Sequence, residues 1–570
     1  MFLEKSIQEG FRFLRGGKKN STVTRIFCLL ALGLVLSLTV LHGGELQPLK
    51  AAASSHVTVD FGSRQNTAHP IPSNLLGVAG IGMGTALLND GNAVLQANFH
   101  LAKIGDYDFM SLVFPTAASA TNASLQNWTK FDTEIGMAVS YHLQPLISLT
   151  YTPGWLQAQN QKPPLTNPCL TYNPPFDAYM VKPTYMVNGV NKGPQMWGKL
   201  AALFVAHMDQ KFPQVHGMFE IWNQPDGSSF FCEPKGDPNA DQDRFNDYKA
   251  LYAATAPQMR QQASKDRVQI KIGGPALVYA MQKHQSLWFP GLLNDPSIYP
   301  YVDFVTYHRF LRGTNFYGGS TSFVTNAQDP MFGVDAEYEQ IAKIVHAGKQ
   351  PNAARTPIYI DEYNVDTCVP QQCKNDPTYA PLTNALFLED VLNSVNDTGS
   401  AYGPATSVPA GLAFYTWNIP SKFVCMFGIL DANLDCATKN GTVQAYPQYY
   451  AYDLFGGANY LDMTNGGYVA NSASANLGGL YVTGFYTKTL DDMVIVNATG
   501  TNYAALNVFA QNPGKVSSLQ AHLYTVAFNR SNPTNSISTQ QVNLVAGQNG
   551  YRATIHVPAN TVVGFSLIAS

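Results

Sequence analysis

The rhythm of hydrophobic and polar positions changes along the chain. The segment His56-Val57-Thr58-Val59-Asp60-Phe61 alternates with a period of two, as a half-buried strand does. From there to about residue 460, short runs rich in Val, Ile and Phe alternate with amphipathic stretches such as Trp197 to Phe212 and Phe245 to Ala263. Eight runs read as strands, near 75–82, 107–114, 144–151, 217–222, 268–275, 302–308, 356–362 and 411–417. Eight consecutive βα units predict an α/β fold, a (β/α)8 TIM barrel. An open doubly wound sheet is the alternative, but no Gly-rich phosphate loop follows the first strand. Beyond residue 460 helical periodicity fades. Short alternating segments at 479–483, 492–497, 504–510, 520–527, 541–544, 551–557 and 562–568 predict a C-terminal antiparallel β-sandwich. Strand 56–61 is placed to pair back into it. The expected division is 1–53 as a signal or anchor, 54–460 as barrel and 461–570 as sandwich.

The N-terminus gives that first segment its reading. Arg12, Arg15, Lys18, Lys19 and Arg25 precede an apolar run from Ile26 to Leu41, and Leu49-Lys50-Ala51-Ala52-Ala53 has the small residues of a cleavage site. This is the layout of a secretory signal peptide, with a retained N-terminal anchor as the alternative. Either predicts a secreted or cell-surface protein, with membrane attachment only through this segment. Charged residues make up 13% of the chain, about half the usual ~25%. The net charge is -3, and the basic N-terminus contributes +4 of it, so the remainder is near -7. That balance excludes the basic footprint of a nucleic-acid partner. Apart from Cys28 there are six cysteines, Cys169, Cys232, Cys368, Cys373, Cys425 and Cys436. An even count in an exported chain suggests disulfides, with Cys368/Cys373, Cys425/Cys436 and Cys169/Cys232 as the natural pairs and buried thiols as the alternative. No paired-cysteine or HExxH pattern suggests a metal. Asn122, Asn127 and Asn497 head Asn-x-Ser/Thr triplets. Oligomeric state is not legible.

A barrel of this kind carries its active site at the C-terminal ends of its strands. The fourth predicted strand ends Phe219-Glu220-Ile221-Trp222-Asn223-Gln224-Pro225-Asp226, and the seventh ends Tyr359-Ile360-Asp361-Glu362-Tyr363-Asn364. Three βα units apart, these tips face each other across the barrel mouth. Together they resemble the clan A glycoside hydrolases, and most of all family 39, which includes β-xylosidases and α-L-iduronidases. The family pattern near strand four runs Phe-Glu-x-Trp-Asn-Glu-Pro-Asp, matched here at Phe219, Glu220, Trp222, Asn223, Pro225 and Asp226. Further similar segments are Thr152-Pro153-Gly154-Trp155, Ile272-Gly273-Gly274-Pro275 and Asp303 to His308.

The resemblance implies an exported glycosidase acting on a carbohydrate with retention, without cofactor or metal. It implies Glu362 as nucleophile, Asn223 on the sugar 2-hydroxyl, and His308, Tyr307, Trp417 and Trp155 around the sugar. Glu220 lies deeper in its strand and reads as an internal hydrogen-bonding group. Gln224 departs from the pattern, because a carboxamide at the acid/base position cannot exchange a proton with a leaving group. Four readings stand. The substrate has a good leaving group, as for the clan's plant thioglucosidases, which carry Gln there. Another carboxyl, Asp226, Glu233 or Asp237, moves in. The protein is a catalytically silent carbohydrate-binding protein on the cell surface. Or the Gln is a sequence change.

Overall fold

The computed structural model describes residues 55–62, 70–80, 92–105, 108–278, 280, 287–310, 334–364, 388, 391–392, 408–415, 430–431, 444–445, 447–514, 516–526 and 537–569. The N-terminal segment, Trp417, Cys28, Cys368, Cys373, Cys425 and Cys436 lie outside these residues. Residues 55–570 cluster as one compact unit.

Strand β1 (His56–Asp60) opens the chain. Eight parallel strands then close a barrel in sequence order: β2 (Gly77–Ala79), β3 (Leu101–Ile104), β4 (Gln144–Leu149), β5 (Gly217–Ile221), β6 (Ile270–Leu277), β7 (Phe304–Phe310), β8 (Ile358–Asn364) and β9 (Gly411–Tyr415). Consecutive neighbours throughout give the (β/α)8 barrel. The second strand corrects the sequence reading of 107–114. The chain enters the barrel earlier, at Leu101-Ala102-Lys103-Ile104, where a lysine interrupts the apolar run. Residues Phe109–Val113 are instead a short helix, capped by Asp108, whose carboxylate accepts from Ser111 N. Between them Gly105 turns the chain at φ 102°, where a Cβ would meet the Ser148 carbonyl at 2.5 Å.

Side chains at alternate positions point into a barrel. Leu101, Leu146, Met218, Phe304, Tyr359 and Ala413 form an apolar floor. Two residues further along the same strands stand Lys103, Ser148, Glu220, Thr306 and Asp361, all buried. The barrel therefore changes from apolar to polar within one layer, toward the C-terminal ends where the site lies. The opposite strand faces pack on the helices, notably Gly193–Lys211 and Ala240–Asp266, which bring Trp197, Phe204, Tyr248 and Met259 into the main core.

The C-terminal strands form two sheets. β1 lies in a five-stranded sheet, parallel to Tyr503–Gln511 and antiparallel to Ser472–Ala475. A six-stranded antiparallel sheet holds Leu480–Tyr486, Leu490–Asn497, Thr561–Ala569 and Val516–Val526 among its members. Val57, Val59, Ile495, Val508, Ile555 and Phe565 fill the space between the sheets. The outer face of the larger sheet, through Phe485, Val494 and Val562, joins the barrel core against the helix Pro447–Gly456.

Candidate active site

The loops after β4 and β5 make the site's rim on one side. A disulfide between Cys169 and Cys232 ties them together. The β5 tip is an unusual stretch of backbone: Trp222 and Gln224 both adopt positive φ, 71° and 51°. Such conformations cost on the order of 1–3 kcal/mol each and persist only where packing over-determines them. Here it does. Trp222 is fully buried against Tyr151, Trp197 and Phe231, and its indole donates to the Phe230 carbonyl at 3.0 Å. Gln224 N donates to the Ala276 carbonyl at 3.1 Å. These contacts fix the backbone of the motif.

Across the barrel, β8 carries a register shift between Ile360 and Glu362 against β7. A bulge lets two consecutive residues point the same way. Asp361 and Glu362 thus both reach inward, and both meet Lys103 of β3. Lys103 Nζ lies 2.7 Å from Glu362 Oε1, 2.8 Å from Asp361 Oδ2, 2.9 Å from Asn223 Oδ1 and 3.1 Å from His308 Nε2. Glu220 Oε2 stands further off at 3.6 Å and accepts from Ser148 Oγ at 2.7 Å. An ammonium can only donate. Asn223 therefore turns its oxygen to Lys103 and its NH2 toward Tyr151 Oη, 3.3 Å away.

His308 joins the two sides. Its Nδ1 lies 2.8 Å from Gln224 Nε2 and 3.2 Å from Glu362 Oε2. The two distances cap the Gln224–Glu362 separation at their sum, about 6 Å, whereas carboxyl pairs stand ~5–5.5 Å apart in retaining glycosidases and ~6.5–9.5 Å apart in inverting ones. Burial, then the charge of Lys103, hold His308 well below its ordinary value, against an opposing pull from Glu220. The ring is neutral. It orients its neighbours but does not bring a proton as imidazolium.

Glu220 is pushed up to about 7, first by burial and then by Asp361, against Lys103 and hydrogen bonds from Ser148 and Thr306. Burial raises Asp361 as well, against the charge of Lys103. The folded state holds a proton that the unfolded chain releases above 4.5. This contribution to stability is present below 4.5 and is lost as pH rises through about 7, on the order of 3 kcal/mol in all. Glu220→Gln, a permanently neutral donor, should flatten the fall in melting temperature between pH 5 and pH 8 relative to the wild type. An unchanged slope would mean that Glu220 holds no proton in the folded protein.

Four sequence-predicted residues, Glu362, Gln224, Asn223 and His308, come together in this cluster. Tyr307 does not. It faces the other way on β7, fully buried in the layer between barrel and helices, as alternation along a strand requires. Trp155 is half-buried at the rim, edge-on to Tyr185, with its indole donating to the Phe114 carbonyl. No contact among the described residues joins it to the cluster. The three carboxyls considered as substitutes for an acid stand elsewhere. Asp226 accepts from Val278 N at 3.0 Å, and Asp237 caps the turn at Asn239. Glu233 is pushed up to about 8 by burial and by Asp247, within a group that includes Lys182 and Asp243 on the helix side. Sequence reasoning missed Lys103, Asp361 and Tyr151. A lone lysine inside a run of strand residues was the signal for the first. Among the described residues no three His, Cys, Asp or Glu side chains are placed to hold a metal ion.

Comparison with known proteins agrees with the barrel fold. Residues 189–434 match the family model for Glycosyl hydrolases family 39. No curated protein sequence matches the chain. Among solved structures, the GH39 enzyme from Xanthomonas axonopodis pv. citri superposes with a TM-score of 0.59 at 17% identity, over 91% of this chain and 98% of that one. The monomeric β-xylosidase from Caulobacter crescentus CB15 gives 0.56 at 15%, over 90% and 99%. The α-L-arabinofuranosidase from Thermotoga maritima gives 0.54 at 12%, over 90% and 100%. By the match over residues 189–434 and by its barrel, the chain is a glycosidase similar to the family 39 glycoside hydrolases.

Proposed function

We propose that this glycosidase cleaves O-glycosidic bonds with retention, using Glu362 as nucleophile and preferring glycosides whose leaving group departs without protonation. The observation that carries the reading is the separation of at most about 6 Å between Gln224 and Glu362 across His308 Nδ1, which suits double displacement. Glu362 Oε2, on the Gln224 side, attacks the anomeric carbon while the aglycone leaves with the bonding pair. The Gln224 amide can hydrogen-bond the departing oxygen but transfers no proton. Asn223, held by Lys103 and Tyr151, presents its remaining N–H to the 2-hydroxyl. Water then attacks the same carbon and Glu362 is released. Without a base, this second half is slow.

The sugar is proposed to be a pentose of a plant- or microbe-derived glycan or glycoside, because a β-xylosidase and an α-L-arabinofuranosidase share the fold. Export is proposed from the N-terminal layout together with the Cys169–Cys232 bond. The Gln224 carboxamide itself favours a second reading, a silent sugar-binding protein. A panel of nitrophenyl and dinitrophenyl xylosides, arabinosides and glucosides separates the two. Turnover should rise steeply with leaving-group acidity, with a burst of nitrophenol near one per enzyme. Binding without any release for every member would leave only the silent reading.

A further inference from the structure

Lys103 Nζ lies within 3.1 Å of Glu362, Asp361, Asn223 and His308, yet the reaction as described needs only Glu362, Asn223 and the position of Gln224. We propose that Lys103 is a positioning residue that fixes the Glu362 carboxylate and stabilises it as the group released when the glycosyl ester is hydrolysed. The proposal rests on Glu362 being the nucleophile. Its support is geometric. Lys103 is fully buried and holds Glu362 Oε1 at 2.7 Å, leaving Oε2 on the Gln224 side. The same ammonium holds Asn223 Oδ1 at 2.9 Å, so nucleophile and 2-hydroxyl partner share one anchor.

The charges around Lys103 are those of Asp361, Glu220 and Glu362, with the neutral ring of His308. Esterification of Glu362 removes one negative charge from beside Lys103. During hydrolysis the water oxygen bonds to the anomeric carbon and the carbon–Oε2 bond breaks. Its pair returns to Glu362 as carboxylate, and the water proton passes to solvent. Negative charge thus reappears in a buried site, where Lys103, 2.7 Å from Glu362 Oε1, is placed to meet it. A low-dielectric surround makes that interaction strong. In a protein lacking the acid/base carboxyl, a better leaving carboxylate offsets part of what the missing base would have done for water.

The test is pre-steady-state release of dinitrophenol from a dinitrophenyl glycoside turned over by the wild type, with Lys103→Gln, which keeps a donor without charge, and Lys103→Arg, which keeps the charge. For Lys103→Gln the steady rate after the burst should fall by ~10²-fold, the size seen when one charge-stabilising donor is lost, with a much smaller fall in the burst rate. The acid limb of its kcat/KM profile should move to higher pH. Lys103→Arg should recover part of the steady rate. Equal loss in both phases with an unmoved acid limb would reduce Lys103 to a structural role. If Lys103→Gln does not fold, a Lys103→Arg burst with both phases slowed equally also overturns the proposal. A wild type that turns over without a burst while Glu362 cannot be labelled would instead remove the nucleophile reading, and this proposal with it.

Discussion

Gln224→Glu should raise hydrolysis of alkyl glycosides by ~10²–10⁴-fold, the usual worth of positioned general acid–base help. The substitution changes one atom and keeps the shape of the side chain. The backbone at 224 is already held by Ala276 and by the buried Trp222. The new carboxyl would stand beside His308 Nδ1, within about 6 Å of Glu362. A neighbouring carboxylate and a buried position both favour its protonated form, so it starts as an acid. Once Glu362 is esterified that neighbouring charge is gone, its acidity rises, and it can take a proton from water. The gain should be largest for methyl or other alkyl glycosides. It should be small for the first step with dinitrophenyl glycosides, which need no acid. Initial rates across a leaving-group series measure this: the slope against leaving-group acidity should flatten in the variant. An unchanged slope, with activity lost instead in Asp226→Asn or Glu233→Gln, would place the proton donor on the loop after β5.

Glu362→Ala should cost ~10⁴-fold or more in turnover of activated glycosides, as losing a nucleophile does in other covalent enzymes. Lys103 keeps Asp361, Asn223 and His308 as neighbours in this variant, so the fold and sugar binding should survive. The cavity left by the carboxylate gives room for azide. Added azide should restore aryl release and yield a glycosyl azide of inverted configuration, because one displacement replaces two. Product configuration by NMR checks this. Full wild-type activity in Glu362→Ala would transfer the chemistry to another group.

Much of the architecture was legible because barrel strands write themselves as short apolar runs between amphipathic helices. Where that rule failed, the reason was chemical. Lys103 breaks the run at β3, so the strand was read at 107–114, where Phe109–Val113 in fact forms a helix behind its Asp108 cap. The same lysine is the centre of the site, so one substitution hid both the strand and its role. The site motifs were legible from resemblance, since Asn223, Gln224 and Glu362 sit at strand tips. Their coupling was not. The bulge that turns both Asp361 and Glu362 inward depends on pairing between strands distant in sequence. Tyr307 shows the converse: strand alternation, which placed His308 inside, already put its neighbour outside.

The most direct measurement is covalent trapping with 2-deoxy-2-fluoro glycosyl donors bearing dinitrophenolate. The fluorine slows both steps and the activated aglycone restores the first, so an intermediate accumulates. The wild type should gain the mass of one glycosyl unit, with the modified peptide carrying it on Glu362, and Lys103→Gln should hold the label longer. A donor consumed with no mass gain, or a label on Asp226, Glu233 or any residue other than Glu362, would contradict the account.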